Sequence, residues 1–152
     1  FTRSLMGSAN LSDATIVKTD FTACNLINAD FSGVTLQDVN LEKAGLSRAI
    51  FKGTEFNNVN MVGADLSLTI FDDVDLSKVR LQKAQFAQST VEDMNFNGQD
   101  LTEVVFDKGK VAGSRFEKAK LNGTSFFDTE VSKNFFKNAQ MLKTQNLQHL
   151  CT

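Results

Sequence analysis

The chain has 152 residues, a formal net charge of −2 and 41% hydrophobic residues, and this length suits a single domain. No apolar run approaches the roughly 18 residues that a membrane helix needs, and so small a net charge does not indicate binding to nucleic acid or membranes. No signal-peptide pattern is recognisable in the first residues. Because the chain begins with Phe1, we expect a processed mature protein or a trimmed segment.

A large apolar residue occurs at every fifth position from Phe1 to Met141, without exception in 29 consecutive positions. We call these positions centres. A period of five fits neither an α-helix, a simple strand nor a coiled coil. Twelve of the 14 Phe residues are centres, which predicts that they form the core. The period therefore indicates an architecture of short repeats.

The residue two before each centre is small. From Ser4 to Ala139 there are 28 such positions, and 25 hold Ala, Ser, Thr, Val, Cys or Gly. Side chains alternate along a strand, so the centre and this small residue point inward together. The residue two after each centre includes six of the nine glycines and several Asn and Asp residues, which tolerate positive φ. Each unit is therefore predicted to be a short strand followed by a type II turn.

Four such turns close a square coil, so each residue should stack on the residue four repeat units later. We expect about seven coils, each contacting only its neighbours. The sequence contains three columns of phenylalanine that support this register. They are Phe31, Phe51 and Phe71; Phe86, Phe106 and Phe126; and Phe96, Phe116 and Phe136.

The repeat resembles that of the pentapeptide-repeat proteins, Ala-Asp/Asn-Leu-X-X. It occurs here as Ala9-Asn10-Leu11, Ala29-Asp30-Phe31 and Ala64-Asp65-Leu66, with looser versions elsewhere. The resemblance covers nearly the whole chain. It implies an all-β solenoid, specifically a right-handed quadrilateral β-helix.

Two consecutive inward positions, Met94 and Gln99, depart from the pattern because they should be small. Oversized side chains there predict a local widening or an irregular turn between coils five and six. Gln99 would need an internal hydrogen-bond partner, since an unpaired buried polar group costs about 1–3 kcal/mol.

The two ends need protection, because an open coil exposes core and unpaired strand edge. From Phe136 the apolar spacing looks helical, and Asn138 is a plausible N-cap. We therefore predict a β-helix over residues 1–133 and a C-terminal α-helical cap over 134–152. A short N-terminal cap within residues 1–8 stays open. An uncapped end should pair with something, so we expect a monomer or an end-to-end dimer.

No catalytic, cofactor-binding or metal-binding set is visible, and we predict neither enzyme activity nor a cofactor. His149 is read as a surface residue because nothing beside it supplies a ligand set or nucleophile. Cys24 is predicted to be core and Cys151 a free or crosslinking thiol. Six coils separate them by about 30 Å, too far for a disulfide within one chain.

Two surface clusters are candidates for function. An acidic cluster across stacked coils is either a weak cation site or a solvated acidic patch; its members are Asp72, Asp73, Asp75, Glu92 and Asp93. An apolar patch of Ile50, Leu68 and Ile70 is the candidate contact for a protein partner.

The sequence favours a non-enzymatic structural or interaction module with an unidentified protein partner, no nucleic acid and no membrane insertion. Many proteins of the family that this repeat resembles come from cyanobacteria and from the chloroplast thylakoid lumen. We therefore predict that this protein is located in the thylakoid lumen, with the cytoplasm as the alternative. The alternative function is that of family members that mimic DNA and regulate DNA gyrase. The small net charge and the basic residues after position 100 argue against mimicry.

Overall fold

The computed structural model describes residues 1–145 and shows an all-β solenoid, as expected from the repeat. Its eight short strands are β1 (Thr15–Val17), β2 (Thr35–Asn40), β3 (Ile50–Lys52), β4 (Glu55–Asn60), β5 (Ile70–Asp72), β6 (Thr90–Glu92), β7 (Lys110–Ala112) and β8 (Glu130–Ser132). All pairing is parallel, in three sheets ordered β1-β2-β4, β3-β5 and β6-β7-β8. Among the described residues, no helix is long and apolar enough to span a membrane.

The pairing register is the same throughout, because four five-residue units return the chain to the same face. Bridges join equivalent residues of successive coils, from Leu5 and Asn25 to Ser125 and Gln145. From β1 to β8 the chain completes about six turns, so the expected seven coils are not supported. The strands do not reach either end of the described chain, where pairing is limited to isolated bridges. The right hand of the coil stays a prediction from the family resemblance.

The turns have the backbone geometry that the repeat predicts. From Arg3 to Lys143, the residue two after each centre has positive φ, with Lys78 the exception. Most of these residues are not glycine, so the surrounding ladder imposes the conformation more strongly than residue type does. The residue before the centre adds support where it is Asp or Asn. In Asp30 and Asn60, for example, the side-chain oxygen accepts a hydrogen bond from the backbone N–H two residues later.

The core is a set of stacked phenylalanine rings. Ring centroids in the three columns lie 5.0–5.4 Å apart in nearly parallel planes, the offset-stacked arrangement that aromatic rings favour. Seven of the nine rings are buried; Phe71 and Phe136 are only half-buried. Burial of this kind is the main stabilising contribution in such a fold.

The predicted α-helical cap is wrong over residues 134–145. There the coil continues, with Phe135, Gln140 and Gln145 bridged to the preceding coil. Asn138 is a turn residue with φ 58° and not an N-cap. The helical spacing was misleading, because Phe136, Ala139 and Met141 still occupy centre and inward positions of the five-residue repeat. Residues 146–152 lie outside the described part of the chain.

The open possibility of a separate cap within residues 1–8 is not realised either. Arg3 and Ser8 have φ 58°, and Leu5 bridges to Asn25. The first eight residues are therefore an ordinary part of the solenoid. Leu5, immediately before the centre Met6, points outward and is 87% exposed.

Candidate functional site

The ladder between coils is interrupted at one place. Successive coils are paired through β-bridges between residues 20 apart. Within residues 1–145 four of these bridges are missing: Glu55 to Asp75, Ile70 to Thr90, Asp75 to Asn95, and Arg80 to Asp100. Every other step from Leu5 onward is paired. The gap falls mainly between the coil of residues 61–80 and the coil of 81–100. We call it the ladder gap.

Gln99 lies at the ladder gap. Its Nε2 donates to the carbonyl oxygen of Leu76 and, at 3.3 Å, to that of Val79. Val79 belongs to one of the coil edges that has lost its partner. Gln99 is only 8% exposed, and its Oε1 is buried without a hydrogen-bond partner among the described residues. The amide nitrogen therefore replaces part of the missing backbone pairing, whereas the amide oxygen has no hydrogen bond among the described residues.

Smaller side chains at equivalent inward positions show why Gln99 does not fit. The hydroxyls of Thr54, Ser89 and Thr124 each donate at 2.8 Å to a carbonyl 23 residues earlier. Gln99 and Leu76 are also 23 residues apart in the chain, but the side chain of Gln99 is longer and needs more room between the coils. Asn134, one methylene shorter, satisfies both ends of its amide: it donates to Val111 O and accepts from Ser114 N, each at 2.8 Å.

Acidic residues occupy equivalent repeat positions on the two sides of the ladder gap. The register puts Asp72 beside Glu92, Asp73 beside Asp93, and Glu55 beside Asp75, each pair in successive coils. Like charges opposite each other across neighbouring strands are destabilising. We therefore attribute the ladder gap to an oversized inward side chain together with acidic pairs on the outside.

The expected irregularity is thus present, but one coil earlier than predicted. We predicted it between coils five and six, because Met94 and Gln99 belong to coil five. The structure places it between coils four and five. The reason is the direction of the side chain: inward polar groups bond to carbonyls of the preceding coil, so Gln99 separates its coil from that one.

The ladder gap opens into a cleft of about 870 Å³. Its apolar lining is Phe56, Phe71, Val74 and Met94, and its charged lining is Glu55, Asp72, Asp73, Asp75, Lys78, Glu92 and Asp93. Phe71 and Val74 are half-buried, whereas Phe31 and Phe51, lower in the same column, are completely buried. The cleft is therefore a place where the core reaches solvent, and carboxylates surround it.

Two of the six carboxylates are paired with lysines. Asp72 lies 3.6 Å from Lys52 Nζ, and Glu92 lies 2.6 Å from Lys110 Nζ. The hydrogen bonds from the backbone N–H and hydroxyl of Ser77 lower the pKa of Asp75, which keeps it ionised. Within the described part of the chain, no ion pair involves the other carboxylates of the cleft.

The two clusters singled out from the sequence lie next to each other. All five residues of the predicted acidic cluster line the cleft, together with Glu55, which was missed although it lies one coil before Asp75. In the apolar patch, Ile50 and Ile70 are directly opposed across β3 and β5. Ile70 is 55% exposed and belongs to the same strand as Phe71 and Asp72.

The patch is smaller than expected, because Ile50 and Leu68 are half-buried.

The cation-site interpretation has no geometric support within residues 1–145, where no three metal-ligating side chains are arranged to hold an ion. Cys24 is buried and free, and its thiol donates to the carbonyl of Phe1. The interpretations of His149 and Cys151 concern residues outside the described part.

A second concave surface lies at the N-terminal end. It has a volume of about 480 Å³ and an apolar lining of Phe1, Met6, Leu11, Ile16, Val17 and Phe21, with Thr15 and Thr19. No other coil of the described chain covers this side of the first coil, so its core residues face the concave surface. Among residues 1–145, no charged side chain belongs to this lining.

These features define a parallel β-solenoid with one interrupted ladder and an acidic cleft. The family model described as "Pentapeptide repeats (8 copies)" matches residues 4–42, 36–73 and 49–86, together more than half of the sequence. The chain belongs to the pentapeptide-repeat family. A comparison with curated protein sequences found no match.

Solved structures share the fold at low sequence identity. A trypsin-treated QnrB1, a plasmid-mediated fluoroquinolone resistance protein, superposes with a TM-score of 0.59 and 16% identity, over 86% of this chain and 71% of its own. Full-length QnrB1 gives 0.54 and 14%, over 87% and 84%. A pentapeptide-repeat protein of the Arabidopsis thaliana thylakoid lumen is 23% identical over 78% and 61%, but its TM-score is 0.20. The QnrB1 likeness supports the fold.

Proposed function

We propose that the protein is a non-enzymatic interaction module that binds a partner protein through the face carrying the cleft. The observation that carries this proposal is the partial exposure of Phe71 and Val74 in the cleft wall. Apolar side chains at these repeat positions are otherwise enclosed in the middle of the solenoid. Ile70, on the same strand, extends the apolar surface beyond the cleft. Apolar surface surrounded by polar groups is typical of protein-binding sites.

The test is affinity capture from a native extract with two matched variants. Ile70→Lys places a charge beside the cleft, and Phe127→Lys places one at a residue of similar exposure, 54% against 55%, on another face. We expect a specific partner to be lost with Ile70→Lys and kept with Phe127→Lys. Equal capture by all three proteins would refute the proposed binding face.

The alternative, a DNA-mimicking regulator of DNA gyrase, has less support. The sequence carries 18 acidic and 16 basic residues, and residues 101–152 carry 8 basic and 5 acidic residues. A duplex mimic needs negative charge along its length. A supercoiling assay distinguishes the two functions, because stoichiometric protection or inhibition of gyrase would favour the alternative.

The proposed location in the thylakoid lumen rests on the family resemblance. The sequence of the native precursor tests it, since a transit leader would be recognisable there. A precursor without any leader would favour the cytoplasm.

A further inference from the structure

The ladder gap leaves the facing edges of two strands without backbone pairing. β5 is the last strand of the β3-β5 sheet, and β6 is the first of the β6-β7-β8 sheet. No backbone hydrogen bond in the described chain joins Thr90 N to Thr69 O, whereas the equivalent bond one coil later, Lys110 N to Ser89 O, is present at 3.0 Å. Because residues of β5 and β6 remain within 8 Å of each other, a further strand cannot enter between them, and a partner must bind in the cleft beside the gap.

The cleft is both apolar and acidic, which suits one kind of side chain. Phe71 and Val74 offer apolar surface, while Asp73 and Asp75 stand exposed beside them in the same coil. Lysine and arginine side chains bury their methylene stems on apolar surface and keep the charged group at the polar edge. The negative charge of the cleft complements such cations, and Lys78 is the one basic residue that the described chain contributes to its lining.

We propose that the cleft binds a lysine- or arginine-bearing segment of another protein. The segment lies in the cleft, with its methylene stems on Phe71 and Val74 and its cationic groups at Asp73 and Asp75. This inference rests on the proposed function and specifies the chemistry of the partner.

Fluorescence anisotropy with synthetic peptides tests the proposal. The probe is a fluorescein-labelled (Lys-Thr)4 peptide, and (Glu-Thr)4 is the matched negative peptide. The test variant Asp73→Asn/Asp75→Asn removes two exposed carboxylates of the cleft. The control variant Asp13→Asn/Asp20→Asn removes a turn aspartate and a turn-capping aspartate at equivalent repeat positions in the first coil.

We expect wild-type protein to bind the lysine peptide and not the glutamate peptide. The Asp73→Asn/Asp75→Asn variant should bind about 10-fold more weakly, while the control variant stays within about twofold of wild type. Lys78→Gln should bind more tightly, since it removes the cation that repels the peptide; a gain of affinity cannot come from misfolding. Circular dichroism checks that all variants fold.

Equal weakening in both double variants would show only non-specific charge attraction and overturn the proposal, as would no binding by wild-type protein. If the peptide fails to bind but capture in extract still depends on Ile70, the basic partner is refuted while the binding face stands. If capture is also unaffected, the proposed function fails as well.

Discussion

The Nε2 atom of Gln99 donates a hydrogen bond to the carbonyl oxygen of Leu76, 23 residues earlier in the chain. Thr124 and Leu101 have the same relationship through a hydroxyl group, at 2.8 Å. The coils around Thr124 remain paired, whereas those around Gln99 do not. The length of this one inward side chain is therefore one of the two causes to which we attribute the separation of the coils.

Shortening this side chain should close the ladder gap. Gln99→Thr keeps a donor for Leu76 O and removes the unpaired Oε1, so we expect an increase of about 1–2 kcal/mol in the free energy of unfolding. Urea denaturation measures it. Amide hydrogen exchange should also slow at Thr90 and Asp100, whose N–H groups would regain partners in the preceding coil.

The reverse substitution is the control. Thr124→Gln places the long amide between coils that are paired in the wild-type protein. It should lower the free energy of unfolding and speed exchange at Ser125. If Gln99→Thr destabilises the protein, side-chain length is not the cause of the ladder gap.

The phenylalanine columns should provide much of the stability. Phe106 is 1% exposed and stacks on Phe86 at 5.2 Å and on Phe126 at 5.1 Å. Phe106→Ala should therefore cost about 3–5 kcal/mol in the free energy of unfolding, measured by urea denaturation. Phe127→Ala, at a residue 54% exposed, is the matched control and should change it little. Similar losses in both would contradict the column as the core.

Acid should remove the contribution of the turn aspartates. The hydroxyl and backbone N–H of Thr102 hydrogen-bond to the Asp100 carboxylate and hold its pKa below the ordinary value. Because the pKa of Asp100 is lower in the folded than in the unfolded state, its ionised carboxylate stabilises the folded state at pH values above the unfolded pKa, near about 4. This stabilisation is lost as the pH falls through the folded pKa.

Asp100→Asn provides the measurement, because Asn serves in the same turn position at Asn60. We expect the variant to be less stable than wild type at about pH 7, and we expect the difference to disappear as the pH falls through the folded pKa of Asp100. Urea midpoints across that range test this. A stability difference that does not change with pH would exclude the ionised carboxylate as its source.

The apolar N-terminal end predicts self-association. The concave surface lined by Met6, Leu11 and Ile16 adjoins an unpaired coil edge, so we expect an end-to-end dimer at high protein concentration. Light scattering measures the mass. Val17→Lys, at a residue 45% exposed beside this surface, should shift the equilibrium to monomer; an unchanged mass would mean that this end does not form the contact.

The repeat made most of the fold predictable. The centre at Phe106 and the turn at Asn138 follow from counting in fives, and the family resemblance is confirmed. The prediction of a helical cap over 134–145 was wrong because a few apolar residues there fit both the spacing of an α-helix and the five-residue repeat. The sequence also indicated an irregularity at Gln99, but its position depends on which neighbouring coil the side chain reaches, and spacing does not show that.

The site was predictable only as separate pieces. The acidic cluster and Ile70 were visible from register, but the cleft that joins them was not. A cleft requires the backbone to part, and that results from the balance between side-chain volume inside and repulsion outside. Glu55 was missed because its acidic neighbour, Asp75, lies in the next coil and not beside it in the chain.

The ladder gap also bears on how the molecule unfolds. In a solenoid, cooperativity passes only between adjacent coils, through their shared interface. The interface between residues 61–80 and 81–100 keeps the bridge from Asp65 to Gln85 but has lost the next three, so it transmits the least coupling among the described coils. We therefore expect the described coils before and after this interface to unfold as two units, so that one can open while the other remains native.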